Sequence, residues 1–96
     1  MKKSVTVQEI EIIFLNEKEV KLSELTLHQL RSSVESDLEE LRTKNIDDVA
    51  KVEDILIKAV ENKTYGVGDK RYRLVVRQLI IYTTVTLKLK IELANE

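Results

Sequence analysis

The 96-residue chain carries 16 Lys and Arg, 17 Asp and Glu and one His, so its formal net charge at pH 7 is −1. Hydrophobic residues make up 43% and charged residues 34%, a balance typical of one folded domain and not of a disordered chain. Cysteine is absent, which excludes disulfides, thiol nucleophiles and thiolate metal sites. No apolar run approaches the roughly 20 residues of a membrane helix, and the first residues form no signal-peptide block, so we expect a cytoplasmic protein without membrane contact.

The first segment alternates apolar and polar residues, as a half-buried strand does. Ile10, Ile12 and Phe14 fall on one face, and Glu9 and Glu11 each precede an isoleucine of this row. A polar run over residues 16–19 then separates this strand from a short apolar segment at 20–22. This pattern predicts an N-terminal strand pair joined by a hairpin.

The next segment has the pattern of an amphipathic helix. Thr26 is followed three residues later by Gln29, as in a capping box, and Leu25 with Leu30 matches a hydrophobic staple. Apolar residues recur at spacings of three and four over residues 27–41. We expect the helix to begin at residue 27 and to end near residue 45.

A second helix is predicted from about residue 48 to residue 62. Asp47 is the expected cap, and the acids that follow favour a helix N-terminus. Because the link between the two helices is short, we expect an antiparallel helical hairpin.

Gly66 and Gly68 are the two glycines of the chain and lie just after this second helix. A Gly-x-Gly sequence invites comparison with phosphate-binding loops. The third glycine and the Lys-Ser/Thr pair of such loops are missing, and the segment follows a helix instead of a strand. The sequence therefore favours a plain helix-to-strand connector.

Apolar positions change parity within the C-terminal third. They are even at Tyr72, Leu74, Val76, Ile80 and Tyr82, and odd at Val85, Leu87, Leu89, Ile91 and Leu93. Side chains of a strand alternate faces with period two, so one straight strand cannot bury both sets. We predict a turn or strong bend near residues 82–84 between two C-terminal strands. A helix over residues 70–82 followed by a strand stays open, because this turn lacks Gly and Asn.

Charge is divided unequally along the chain. Residues 1–34 carry five basic and five acidic residues, residues 35–62 four and nine, and residues 63–96 seven and three. The net charges of these segments are therefore 0, −5 and +4, which sum to −1. The sequence predicts acidic helices followed by a basic C-terminal third.

The candidate binding residues are Lys70, Arg71, Tyr72, Arg73 and Arg77. If residues 70–82 form a strand, the three arginines share one face at spacings of two and four, and could bind phosphates or carboxylates bidentately. The simplest interpretation is that this face pairs with the acidic helices of the same subunit or of another subunit. An acidic protein partner and a nucleic acid are the other two.

Residue patterns for catalysis are weak. His28 is the sole histidine, so it has no second histidine or cysteine with which to bind a metal. Ser32 lies four residues later, but no oxyanion site or oriented base is evident from the sequence. We expect neither an enzyme nor a bound cofactor.

These observations together predict one small α+β domain over residues 1–96, built from an N-terminal strand pair, a helical hairpin and a C-terminal strand pair. Apolar positions on both faces of residues 74–81 favour a homo-oligomer. The predicted function is a non-enzymatic protein interaction or assembly module, with a small nucleic-acid-binding regulator that uses the arginine strip as the alternative.

Overall fold

Four β-strands form a single sheet in a computed structural model, which describes residues 5–94. The strands are β1 (Glu9–Phe14), β2 (Thr64–Val67), β3 (Lys70–Ile80) and β4 (Thr84–Leu93). Their spatial order is β1-β4-β3-β2, with β1 parallel to β4 and the other two pairs antiparallel. The first and last strands of the chain are therefore neighbours.

The segment between β1 and β2 is helical. It contains α1 (Glu17–Val20), α2 (Glu24–Asp37), a 3₁₀ turn (Glu39–Leu41), α3 (Ile46–Lys51) and α4 (Glu53–Glu61). Among residues 5–94, no helix combines the length and the apolar character needed to cross a bilayer. The α+β class predicted from the sequence is confirmed.

The hydrophobic core lies between the helices and one face of the sheet. From β4 it contains Val85, Leu87, Leu89 and Ile91, and from α2 it contains Leu27, Leu30 and Val34. Leu74 of β3 and Leu89 of β4 are completely shielded from solvent. Each such leucine contributes about 1.5–3 kcal/mol by leaving water, so this layer supplies most of the stabilisation of the fold.

The predicted N-terminal strand pair is wrong in its second member. Residues 17–20 form α1, in which the backbone N–H groups of Glu19 and Val20 both donate to the carbonyl of Asn16. Val20 and Leu22 still pack against the core, which explains their apolar character. The partner of β1 is the ten-residue β4, which offers a much longer backbone ladder than residues 20–22 could.

The first long helix begins earlier and ends earlier than predicted. Ser23, and not Thr26, caps it, because the Ser23 hydroxyl accepts from the Thr26 backbone N–H at 3.1 Å. Leu25 is 65% exposed, so the predicted staple does not form. After Asp37 the chain leaves the helix, and the N–H of Val7 donates to the carbonyl of Lys44 at 2.9 Å. The carbonyl of Lys44 is thus hydrogen-bonded to the N-terminal segment, so it is not available for the hydrogen bonds of a longer helix.

The second predicted helix is divided in two at Val52, whose φ of −109° interrupts the helix. Asn45, and not Asp47, provides the N-cap of α3, since its side-chain oxygen accepts from the Asp47 N–H at 2.8 Å. The predicted helical hairpin is therefore a chain of shorter helices.

The C-terminal strand pair is confirmed, and residues 70–80 are a strand and not a helix. The change of parity, however, occurs within β3 and not at the turn, because Leu79 and Ile80 pair with Leu87 and Thr86, which have the same parity. A β-bulge inserts Arg77 between the paired residues Val76 and Gln78, and the turn at 81–83 follows. Because the bulge moves every later side chain of β3 to the other face, Ile80 is 41% exposed, while Leu79 packs against the core.

The glycine-bearing connector contains a strand that the sequence did not predict. Thr64–Val67 pairs with the start of β3 through a turn at Gly68 and Asp69. Gly68 adopts a φ of +63°, which favours glycine in a two-residue hairpin turn. Because β2 has only four residues, its alternation of apolar and polar side chains is too short to predict a strand from the sequence.

Asn16 extends the sheet beyond the end of β1. Its side-chain Nδ2 donates to the carbonyl of Ile91, and its Oδ1 accepts from the N–H of the same residue, both at 2.9 Å. One residue earlier, the N–H of Leu15 donates to the carbonyl of Leu89 at 2.8 Å. The amide of Asn16 therefore replaces a strand residue as the next partner of β4.

Replacement of Asn16 by Ala should lower the free energy of unfolding by about 1–3 kcal/mol, because it removes the partners of two part-buried backbone groups of Ile91. Urea denaturation followed by circular dichroism measures the change. The control is Asn62→Ala at an exposed position after α4, which should alter stability by less than about 0.5 kcal/mol. Equal losses from both variants would refute the proposed extension of the ladder.

Candidate functional site

The face of the sheet opposite the helices has no buried side chain among the described residues, and we call it the open face. Strand alternation and register place on it Glu9, Glu11, Ile13, Thr64, Arg71, Arg73, Val75, Gln78, Ile80, Thr84, Thr86, Lys88, Lys90 and Glu92. All of these side chains are exposed or half-buried. The open face is thus a broad surface of strand residues, in contrast to the apolar face beneath it.

Four cations of the open face lie on two adjacent strands. Lys88 and Lys90 belong to β4, and Arg71 and Arg73 to β3; we call these four the cationic band. Glu92 pairs with Arg73 in the register and is the one acid on this part of β4, so this group of five side chains has a net charge of +3.

Aliphatic residues lie beside the lysines of the band. Ile13 pairs with Lys88 across the β1–β4 ladder, and Val75 pairs with Lys90 across the β3–β4 ladder. Lys88, Ile13 and Val75 are all half-buried. Since directly opposed side chains in a sheet have Cβ atoms about 4.5–5.5 Å apart, the lysine stems lie against apolar groups while the ammonium groups reach water.

Charge is distributed unequally between the two layers of the domain, although the open face also carries Glu9 and Glu11 on β1. The helical layer contains most of residues 35–62, with four basic and nine acidic side chains. The cationic band lies on the other side of the sheet. The net charge of −1 therefore conceals a strong difference in charge between the two layers.

The predicted binding residues are only partly brought together. Arg71 and Arg73 share the open face, as expected from their spacing of two. Tyr72 is a correction, because it is only 5% exposed and belongs to the core. Lys70 is exposed beside the β2–β3 turn, and Arg77 is the exposed extra residue of the bulge.

Lys88 and Lys90 were not among the binding residues predicted from the sequence. The signal was present, because these two lysines alternate with Leu87, Leu89 and Ile91, which are core residues. The two lysines lie near the arginines only because β3 pairs with β4. A cluster of arginines that are close in sequence therefore does not reveal them.

A second polar cluster joins α2 to β2. Lys63 Nζ lies 2.7 Å from Asp37 Oδ2 and 5.0 Å from the centre of the Tyr65 ring, and the Tyr65 hydroxyl is 3.5 Å from the same Asp37 oxygen. Burial, with a further contribution from the Asp37 carboxylate, raises the pKa of Tyr65 to about 12. The phenol therefore stays protonated at neutral pH and acts as a hydrogen-bond donor between the two elements. This cluster stabilises the fold and offers no reactive group.

His28 and Ser32 are exposed on α2. Among residues 5–94, no three or more His, Cys, Asp or Glu side chains are grouped so that they could hold a metal ion.

Comparison with known proteins identifies the family. Residues 8–92 match the family model described as the C-terminal domain of the sporulation membrane protein YtrI. The sporulation membrane protein YtrI of Bacillus subtilis (strain 168) is 34% identical over 94 residues, which cover 98% of this chain and 56% of that relative. No solved structure matches the chain. The chain belongs to the YtrI C-terminal domain family, and it spans little more than half the length of the relative.

This family membership overturns several predictions made from the sequence. A cytoplasmic location and the exclusion of a membrane were wrong, because the relative and the family are described as a sporulation membrane protein. The predicted generic assembly module, with a nucleic-acid-binding regulator as its alternative, was wrong for the same reason. The expected homo-oligomer, or dimer, receives no support from the family. The error arose because amino-acid composition indicates that this domain is folded but does not indicate its location in the cell.

The assignment of β4 side chains to two faces can be tested with neighbouring residues. Leu89→Ala should lower the free energy of unfolding by about 2–5 kcal/mol, because it opens a cavity in the core. Lys90→Gln should change it by less than about 0.5 kcal/mol, because this side chain is exposed on the open face. Thermal and urea denaturation measure both. A loss from Lys90→Gln as large as that from Leu89→Ala would contradict the assignment.

Proposed function

We propose that this domain works at a membrane during spore formation. The observation that carries the proposal is the family match over residues 8–92, which includes the helices and all of the four strands except the last residue of β4. The identity of 34% to the Bacillus subtilis protein supports the same biological setting.

Within that setting, we propose that the domain lies in water beside the bilayer. Charged side chains are exposed on both of its layers, with the cationic band on the open face and acids such as Glu40 and Asp54 on the helical side. Burial of such groups in hydrocarbon would be costly, whereas the headgroup region and the adjacent water accommodate them.

The proposed role is one of contact and not of catalysis. Support comes from the form of the open face, where cationic and aliphatic side chains alternate over adjacent strands and create a broad contact surface. The part-buried polar contacts of Asn16 and of Tyr65 each join elements of the fold. A non-enzymatic domain, as expected from the sequence, therefore remains part of this proposal.

A chimera tests the proposed function. The part of Bacillus subtilis YtrI that aligns with this chain is replaced by residues 1–96, and the strain is compared with one that produces native YtrI and one that produces a YtrI lacking the aligned part. We expect the chimera to fractionate with membranes and to give heat-resistant spores at the native yield.

The matched control is the same chimera with Leu74→Asp, which places a charge at a fully buried position and should unfold the domain. This control should behave like the truncated protein. A chimera that reaches the membrane but gives spores only at the yield of the truncated strain would contradict the proposed function.

A further inference from the structure

We propose that the cationic band binds the anionic headgroups of phospholipids, so that the open face lies against the membrane surface. This inference rests on the proposed function, since it assumes that the domain is held near a bilayer. It assigns a ligand class and an orientation to a surface that the family description leaves without a role.

The chemistry of the band suits phosphate. Arginine guanidinium groups bind phosphate oxygens bidentately, and lysine ammonium groups add point charges. Lys88 and Lys90 are two residues apart on β4, which separates them by about 6.6 Å, and Arg73 projects from the adjacent strand. The cations are therefore spread over a surface and do not converge on a single small anion, as an array of headgroups requires.

Apolar groups of the open face suit the same surface. Val75 lies beside Lys90, and Ile80 is 41% exposed at the end of β3. Tyr82 follows in the β3–β4 turn and is 64% exposed. Aliphatic and tyrosine side chains favour the boundary between headgroups and acyl chains, where the apolar part is buried and the hydroxyl stays hydrated.

Charge complementarity also fixes the orientation. The helical segment at residues 35–62, with a net charge of −5, faces away from the open face and would be repelled by anionic lipid. Glu9 and Glu11 lie on the open face, but on β1, at the edge of the sheet. We infer that the domain tilts, with the β3–β4 half towards the lipid and the β1 edge raised.

The test uses the 96-residue chain and two sets of vesicles, one of phosphatidylcholine alone and one containing a quarter of phosphatidylglycerol. Flotation should show binding to the anionic vesicles only, and this binding should weaken as salt screens the attraction. Each cation near an anionic surface strengthens binding about fivefold, so the double variant Lys88→Gln with Lys90→Gln should bind roughly 25-fold more weakly.

The matched control is Lys51→Gln with Lys58→Gln, which removes the same charge from exposed positions of the helical layer. This control should bind anionic vesicles as the parent does. Absence of binding, equal binding to neutral vesicles, or an equal loss in the control would each overturn the inference.

Failure of this inference can be separated from failure of the proposed function. A chimera that supports spore formation, while the chain ignores anionic vesicles, would leave the membrane role standing and remove the lipid contact. In that case, a photo-crosslink from residue 78 of the open face to a protein would identify a protein-binding surface instead. Vesicle binding by a chain whose chimera fails would reject the sporulation role alone.

Discussion

The apolar row of β4 is the constraint on which the rest of this structure depends. Leu87 and Leu89 are buried against the helices, and the same strand pairs with β1 on one side and β3 on the other. Because alternate residues of a strand point to opposite faces, burial of this row requires Lys88 and Lys90 to project from the other face. The core and the cationic band therefore have one origin, and a change of register in β4 would destroy both.

The features of the fold that could be predicted are those that depend on residues close together in the sequence. Alternation in β1, β3 and β4 and the stripe of Leu27, Leu30 and Val34 gave the correct class and the C-terminal strand pair. Pairing of β1 with β4 was not predictable in the same way, because Asn16 and its partner Ile91 are 75 residues apart. The bulge at Arg77 also escaped detection, because the change of parity that it causes was assigned to the nearby turn.

Prediction of the candidate site was limited by the same distinction between local and long-range information. Spacing placed Arg71 and Arg73 on one face, but it could not show that Tyr72 is buried as part of the core. The contribution of Lys88 and Lys90 depends on the β3–β4 pairing, which a search for clustered charge does not reveal. A net charge of −1 argued against a polyanionic partner only because it averages two layers of opposite charge.

The orientation of the domain on anionic vesicles tests most directly whether the open face contacts the membrane. The chain has no cysteine, so a single fluorophore can be attached at Gln78→Cys on the open face or at Ser32→Cys on α2. Vesicles that contain phosphatidylglycerol and a lipid with a nitroxide in its headgroup quench a fluorophore that lies close to their surface. We predict strong quenching at residue 78 and little at residue 32. Equal quenching at both positions, or stronger quenching at residue 32, would contradict a membrane contact through the open face.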